Sequence, residues 1–245
     1  LGGPLHSTGA AKLAARAALR IGAGLVSVAC TSEVLPAYAA TFQAVMTKPV
    51  ASAKDFENLI RDPRVRSVLV GPGAGVTDFT RACALAASHE KKPTVLDADG
   101  LTVFAKEKES LFSAVQSSCI LTPHEGEFER LFGPLAQDRL QAVQEAARLS
   151  RAVVILKGAH TLIVASDGRA AVNTNAPPYL ATAGTGDVLA GICAGLLAQG
   201  MEAFAAACAS VWIHAEAACA FGLGLIAEDL PEALPGVVRA GISNE

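Results

Sequence analysis

Short apolar runs alternate with longer amphipathic stretches along most of this chain. Ser67 to Val70, Thr94 to Asp97, Cys119 to Thr122 and Val153 to Lys157 each predict a short buried strand, since aliphatic and β-branched side chains follow one another with little polar alternation. Between and around them, Thr77 to His89, Ser110 to Gln116, Glu125 to Leu131 and Asp138 to Ser150 read as helices. Ahead of this series, Ser7 or Thr8 is placed to cap an alanine-rich helix that runs to about Arg20 and stops at Gly22. Leu25 to Cys30 predicts a further strand, whereas Thr31 to Pro63 shows no consistent period. Leu162 to Ser166 and Arg169 to Asn173 flank Asp167-Gly168, a pair suited to a tight hairpin turn. From Gly186 onward the chain reads as helix, broken at Gly200 and Gly222. The alternation predicts an α/β fold with a mostly parallel sheet covered on both faces, in a single domain over residues 1–245.

Composition then narrows the function. With 245 residues, 51% hydrophobic and 18% charged, the chain can bury a large core, which excludes a disordered tail. A net charge of -3 gives no general attraction to nucleic acid or anionic membrane, and 5% aromatic residues leave little for stacking on single strands. Between Val188 and Ala227 the sequence is strongly apolar, yet Glu202, His214, Glu216 and several glycines interrupt it short of the roughly 18 residues a membrane span needs. Buried helices are expected there, and no membrane association. The six cysteines form no CxxC pair and no zinc-spaced cluster with histidine, so they read as reduced core residues of a cytoplasmic protein. No signal peptide is visible, and the chain opens abruptly on a glycine pair, as if an upstream strand were missing.

In open parallel sheets ligands gather at the carboxyl ends of the strands, and the polar and glycine-rich segments fall there. Ala183-Gly184-Thr185-Gly186-Asp187 opens the apolar helix, where glycines let backbone amides approach an anion and the helix start favours negative charge. Asp187 would repel a phosphate, so beside such a nest it reads either as a base that deprotonates an attacking hydroxyl or as a plain helix cap. Lys157-Gly158-Ala159-His160-Thr161 follows a strand and offers a lysine and a hydroxyl to a nucleotide phosphate, or a solvent-facing loop. There is no Walker A sequence. In Thr122-Pro123-His124-Glu125-Gly126-Glu127, His124 is a ligand contact or a structural residue, and Glu127 holds Mg²⁺ through water or complements the helix dipole. Gly71-Pro72-Gly73-Ala74-Gly75 does not fit GxGxxG but allows close backbone approach; Asp97 stays open and Asp99 reads as structural.

Taken in order, these blocks resemble one family. Gly9-Ala10-Ala11, Ala17 to Val26, Val70 to Gly75, Leu96 to Leu101, Leu121 to Glu127, Lys157 to Thr161 and Gly184 to Gly191 are similar to the blocks of the NAD(P)H-hydrate dehydratases, over Gly2 to about Leu230. Gly3-Pro4 and Ala183 depart from the family's usual residues. The resemblance implies a ribokinase-like three-layer α/β/α fold and a metabolite-repair lyase. Its members restore NADH or NADPH from the S form of the hydrate with ADP or ATP as phosphoryl donor, and tend to be tetrameric. It further implies Asp187 as base, with the amides of Gly184, Thr185 and Gly186 holding developing charge. Ala10, Gly73, His124 and Asp187 would contact the hydrate, Lys157, Gly158, Ala159, His160, Thr161 and Gly186 the AMP part of the donor, and Glu127 a magnesium ion through water. The chain could stand alone or form the carboxyl-terminal half of a fused epimerase–dehydratase. A kinase of the same fold, acting on a hydroxymethylpyrimidine or hydroxyethylthiazole, is the alternative activity; a nucleotide-binding module without turnover is the alternative of another class.

Overall fold

Alternate residues of the central strands turn to opposite faces, and both faces are apolar. Val95, Ile120, Val153 and Ile155 enter one buried cluster, while Leu96, Leu121, Val154 and Leu156 enter another. A sheet with two apolar faces requires a layer of helices on each, and the computed structural model has that arrangement. It describes residues 1–242; residues 243–245, part of the single domain expected above, lie outside the described residues.

In chain order the strands are β1 (Ser27–Cys30), β2 (Met46–Pro49), β3 (Val68–Val70), β4 (Thr94–Leu96), β5 (Cys119–Leu121), β6 (Val153–Leu156), β7 (Thr161–Val164) and β8 (Ala170–Asn173). The helices are α1 (Thr8–Arg20), α2 (Leu35–Ala39), α3 (Ala53–Ile60), α4 (Asp78–His89), α5 (Asp99–Thr102) and α6 (Lys108–Ala114). They continue with α7 (Glu125–Phe132), α8 (Arg139–Ser150), α9 (Thr185–Ala198), α10 (Ala203–Phe221) and α11 (Asp229–Ile242). β3 to β8 form one sheet in sequence order, parallel from β3 to β6 and antiparallel from β6 to β8. β1 and β2 form a separate parallel pair. α1, α9, α10 and α11 cover one face, and α3, α4, α6, α7 and α8 cover the other.

The expected strands and long helices form with shifts of a few residues. The differences have local causes. Thr31 to Pro63 contains α2, β2 and α3, and its pattern is unreadable because α2 is only 5 residues long and β2 is buried on neither face. The first strand starts at Ser27, where pairing with Met46 begins, and Leu25 lies out at 72% exposure. Ser7 sits at the N-cap position of α1 without capping it, because its hydroxyl donates to the Gly73 carbonyl at 2.7 Å.

His214 and Glu216 do not interrupt the apolar region as expected, whereas Glu202 stands in the break between α9 and α10. Glu202 caps α10 by accepting from the Ala205 amide, and α10 then runs unbroken for 19 residues. By length and composition alone this helix could cross a membrane, but half of it is buried, with His214 on its inner face and α9 against it. Cys30, Cys83, Cys119 and Cys193 are buried free thiols, whereas Cys219 is exposed and not a core residue.

Candidate active site

β3, β4, β5 and β6 run parallel, so their carboxyl ends share one edge. Each hands over there to a loop with a distinct chemical group. β4 hands over to Asp97, a carboxylate only 1% exposed. Its Oδ1 accepts from the Thr122 hydroxyl beyond β5 and from the Lys157 ammonium beyond β6, both at 2.7 Å. The parallel ladder fixes this meeting, since the Lys157 amide donates to the Pro123 carbonyl and extends β6 by one rung. Lys157 Nζ also lies 3.7 Å from Glu127 Oε2. Burial pushes the lysine pKa down, but Asp97, Glu127 and Asp187 outweigh it and hold the ammonium above the usual lysine range. Ala98, next to Asp97, has a φ of 49°, a backbone conformation unfavourable for a residue with a Cβ and retained at this edge.

The amino end of α9 closes on this cluster. Gly184 is its N-cap residue, with φ 87°, and no side chain caps the helix. A Cβ at Gly184 would lie 2.8 Å from Leu13 and 2.9 Å from Ala227, so the turn needs glycine for space as well as for backbone angle. Thr185 donates its hydroxyl back to the Leu180 and Thr182 carbonyls, tying down the approach to the helix. Lys157 Nζ stands 3.5 Å from the point where a Gly186 side chain would begin, which puts the ammonium beside the unpaired amides of the first turn.

Asp187 lies in that first turn. None of the described residues hydrogen-bonds its carboxylate, so it is not the helix cap that the sequence left as an alternative. Burial and then Asp97 push its pKa up from 3.8 to about 6, with smaller contributions from Asp99 and Glu127 and an opposing pull from Lys157. A half-buried, unpartnered carboxylate that titrates just below neutrality can accept a proton from a bound hydroxyl.

α1 and the loop after β3 form a neighbouring wall. Gly73 has φ 62°, and a Cβ there would sit 2.5 Å from the Ser7 carbonyl oxygen and 3.1 Å from the Ala10 methyl. The structure therefore brings Ala10 and Gly73 together. Asp99 accepts from the Gly75 amide at 2.8 Å, a structural role.

Other expected residues take more specific places. His124 is the N-cap of α7, accepting at Nδ1 from the amides of Gly126 and Glu127, while Glu127 Oε2 accepts from the His124 amide at 2.8 Å. This reciprocal cap is a structural task that sequence reading left open for His124. Glu127 is 7% exposed and divides its carboxylate between that cap and Lys157. Lys157 is not a loop lysine, because its ammonium is held inward. Gly158, Ala159 and His160 form the exposed turn between β6 and β7, and the Thr161 hydroxyl closes that turn on the Gly158 carbonyl at 3.2 Å. Asp97 and Thr122 are the residues that sequence reading did not place, although an aspartate directly after a buried strand was the available signal.

The comparisons with known proteins fit this geometry. The family model for NAD(P)H-hydrate dehydratase matches residues 1–234. The chain belongs to the NAD(P)H-hydrate dehydratase family. It is 36% identical over 225 residues to the ADP-dependent (S)-NAD(P)H-hydrate dehydratase of Neisseria meningitidis, covering 89% of this chain and 74% of that protein. It is 37% identical over 222 residues to the bifunctional NAD(P)H-hydrate repair enzyme of Coxiella burnetii, covering 89% of this chain and 44% of the relative. The chain thus spans about half the length of the bifunctional relatives it matches. The ADP/ATP-dependent dehydratase of Bacillus subtilis, solved with ATP/Mg²⁺, superposes with a TM-score of 0.80 at 26% identity, over 98% of this chain and 87% of that one. As a member of this family the chain has a ribokinase-like three-layer fold, and the carboxyl edge of its sheet lies where such a fold places ligands.

Proposed function

We propose that this chain dehydrates the S form of hydrated NADH or NADPH, with ADP or ATP as phosphoryl donor. The observation that carries the proposal is the unpartnered carboxylate of Asp187 in the first turn of α9, beside the free amides of Gly184, Thr185 and Gly186. Asp187 takes the proton of the C6 hydroxyl as that oxygen attacks the terminal phosphoryl group of the donor, breaking its bond to the bridging oxygen and releasing AMP from ADP or ADP from ATP. The helix-start amides and the Lys157 ammonium, held 3.5 Å from the Gly186 position, stabilise the charge that develops on the transferring group. The C6–O bond then breaks with the pair leaving on phosphate, the ring nitrogen supplies electrons, and loss of the C5 proton restores the double bond.

Ala10 and Gly73 form the wall that receives the hydrate, with His124 at the opposite loop. The exposed turn Gly158-Ala159-His160, with Thr161 beyond it, faces the nucleoside end of the donor. Asp97 and Glu127 are buried against Lys157, and no group of three or more metal-ligating side chains occurs among the described residues, so a magnesium ion would ride on the donor phosphates and meet Glu127 only through its own water. When bound, the ion neutralises charge on the donor phosphates.

We extend the reading to a single catalytic domain, a cytoplasmic location and a homotetramer. Free thiols among the described residues support a reducing compartment. Trp212, Phe221, Leu223 and Ile226, at 45%, 48%, 87% and 52% exposure, supply apolar surface for self-association.

The test supplies hydrated NADH with ADP and with ATP in parallel and follows the return of dihydronicotinamide absorbance. Recovery with either donor supports the proposal; its absence with both overturns it. Accumulation of a stable phosphate ester from another alcohol would make the chain a kinase of the same fold.

A further inference from the structure

Three carboxylates compete for one ammonium at the carboxyl edge of the sheet. Asp97, Glu127 and Asp187 all act on Lys157. His214 also lies within reach of its field, but burial lowers the histidine pKa to about 4, so it is neutral near pH 7. Asp99, a further charge acting on Asp187, is occupied by the Gly75 amide. Lys157 bonds Asp97 Oδ1 at 2.7 Å and lies 3.7 Å from Glu127 Oε2. Among the described residues no hydrogen bond or ion pair joins it to Asp187. Yet its Nζ stands 3.5 Å from the Cβ position of Gly186, the residue next to Asp187. The carboxylate is thus left unpaired with a cation close by.

Asp97 is built to keep the lysine. Its amide donates to the Val70 carbonyl, and its own carbonyl accepts from the Gly100 amide at 2.9 Å. A Cβ on Gly71 would fall 1.7 Å from that carbonyl oxygen, so the loops after β3 and β4 touch there and leave Asp97 no room to shift. The Thr122 hydroxyl then fixes Oδ1 from the loop after β5. Shut from water, Asp97 cannot release the ammonium without leaving a buried charge unmet. Glu127 is a weaker rival, because its Oε2 already accepts from the His124 amide in the cap of α7. Asp187 has no partner, so it is the carboxylate with most to gain if Asp97 lets the lysine go.

We propose that Asp97 is a positioning residue: by holding Lys157 beside the first-turn amides of α9 it keeps the ammonium off Asp187, which stays free to take a proton. A direct Lys157–Asp187 pair would favour the ionised carboxylate and make it a poor proton acceptor. It would also draw the cation away from the transferring phosphoryl group. Asp97 therefore separates two opposite charges that the reaction needs apart. The proposal rests on the reading of Asp187 as the base.

Asp97→Asn keeps the shape of the side chain and removes its charge. Carbon-13 NMR follows the Asp187 carboxyl of the ligand-free protein against pH, alongside a crystal structure of the variant. Asp187 is expected to titrate at about 4 or below instead of about 6, with Lys157 Nζ bonded to its carboxylate. The acid limb of kcat/KM should move down with it, and kcat should fall at least about tenfold. In Asp97→Asn/Lys157→Met no ammonium remains, and Asp187 should return to about 6 or above. An Asp187 that still titrates above about 5 in Asp97→Asn, a lysine reseated on Glu127, or a double variant that titrates as low as the single one overturns the proposal. If Asp97→Asn does not fold, Asp97→Ser carries the same expectations. The titration needs no turnover, so a chain that shifts as expected yet restores no NADH from the hydrate loses the dehydratase reading alone.

Discussion

Lys157 Nζ lies 2.7 Å from Asp97 Oδ1, at the ends of two strands that are not neighbours in the sheet. Asp97 is shut from water, so its charge is tolerable only while the ammonium and the Thr122 hydroxyl face it. Lys157→Met is therefore expected to cost about 3–5 kcal/mol, by leaving a buried carboxylate unpaired. The double variant Lys157→Met/Asp97→Leu is expected to recover a large part of that loss, because both charges go together. Urea unfolding of the single and double variants checks this, and a double variant less stable than Lys157→Met would refute the assignment. Both variants should lose turnover, since the ammonium beside Gly186 is absent from each.

Asp187 should show the opposite balance between stability and activity. Its ionised form is disfavoured in the fold, with a pKa pushed up from 3.8 to about 6. The native state therefore binds the proton more tightly than the unfolded chain, and stability falls as pH rises from about 4 to about 6. Asp187→Asn removes this penalty and should stabilise the protein at neutral pH by about 1–3 kcal/mol. The same change should lower kcat by at least about a thousandfold with nucleotide affinity nearly intact. In the unmodified chain, kcat/KM should fall tenfold per unit of pH below about 6. An acid limb that persists unchanged in the residual activity of the Asn variant would assign the titration to another group.

The pieces of this site were legible in the sequence for a local reason: each follows an apolar run that could only be a buried strand. Gly73, His124, Lys157 and the Gly184 turn all lie just beyond such a run or at a helix start. What the sequence did not disclose is how they are joined. Asp97 and Lys157 are 60 residues apart, and only the sheet order brings them into contact. The segment Lys157 to Thr161 read as a phosphate loop, yet part of it is the reversal that makes β7 antiparallel to β6, which fixes the lysine inward. His124 showed the spacing of a capping box with Glu127, but histidine is rarely the capping residue, so the signal was passed over. The layout of Thr31 to Pro63 was hidden because its strand buries neither face.

His214 supplies a second pH dependence with the reverse sign. It is buried on α10, hydrogen-bonded to the Thr185 backbone, and its Nε2 has no partner among the described residues. Burial lowers its pKa from 6.5 to about 4, so the unfolded chain takes up this proton first on acidification. Its contribution is complete above about pH 6.5 and is lost as pH falls toward 4, amounting to about 3 kcal/mol by the free energy of that shift. Asp187 partly offsets this loss over the same window. Denaturation midpoints between pH 4 and 7 should therefore fall more steeply for Asp187→Asn than for the unmodified chain, and be flatter for His214→Gln. Parallel curves for all three proteins would remove both groups from the account.

Gly184 and Gly73 separate the two halves of the site by what a single methyl group does at each. At Gly184 the added Cβ meets Leu13 and Ala227 side chains, under 3 Å away, on a backbone with φ 87°. Gly184→Ala should thus distort the start of α9, displace its amides and Asp187, and lower kcat by about a hundredfold or more while costing about 2 kcal/mol of stability. At Gly73 the Cβ meets the Ser7 carbonyl oxygen at 2.5 Å, where α1 begins. Gly73→Ala pushes α1 and the β3 loop apart at the wall assigned to the hydrate, so the effect should appear as a raised KM for the hydrate, with KM for the nucleotide unchanged. Steady-state kinetics with each substrate varied in turn distinguish the two. If Gly73→Ala raised KM for the nucleotide instead, the wall formed by Ala10 and Gly73 would belong to the donor, and the two ends of the cleft would have to be exchanged.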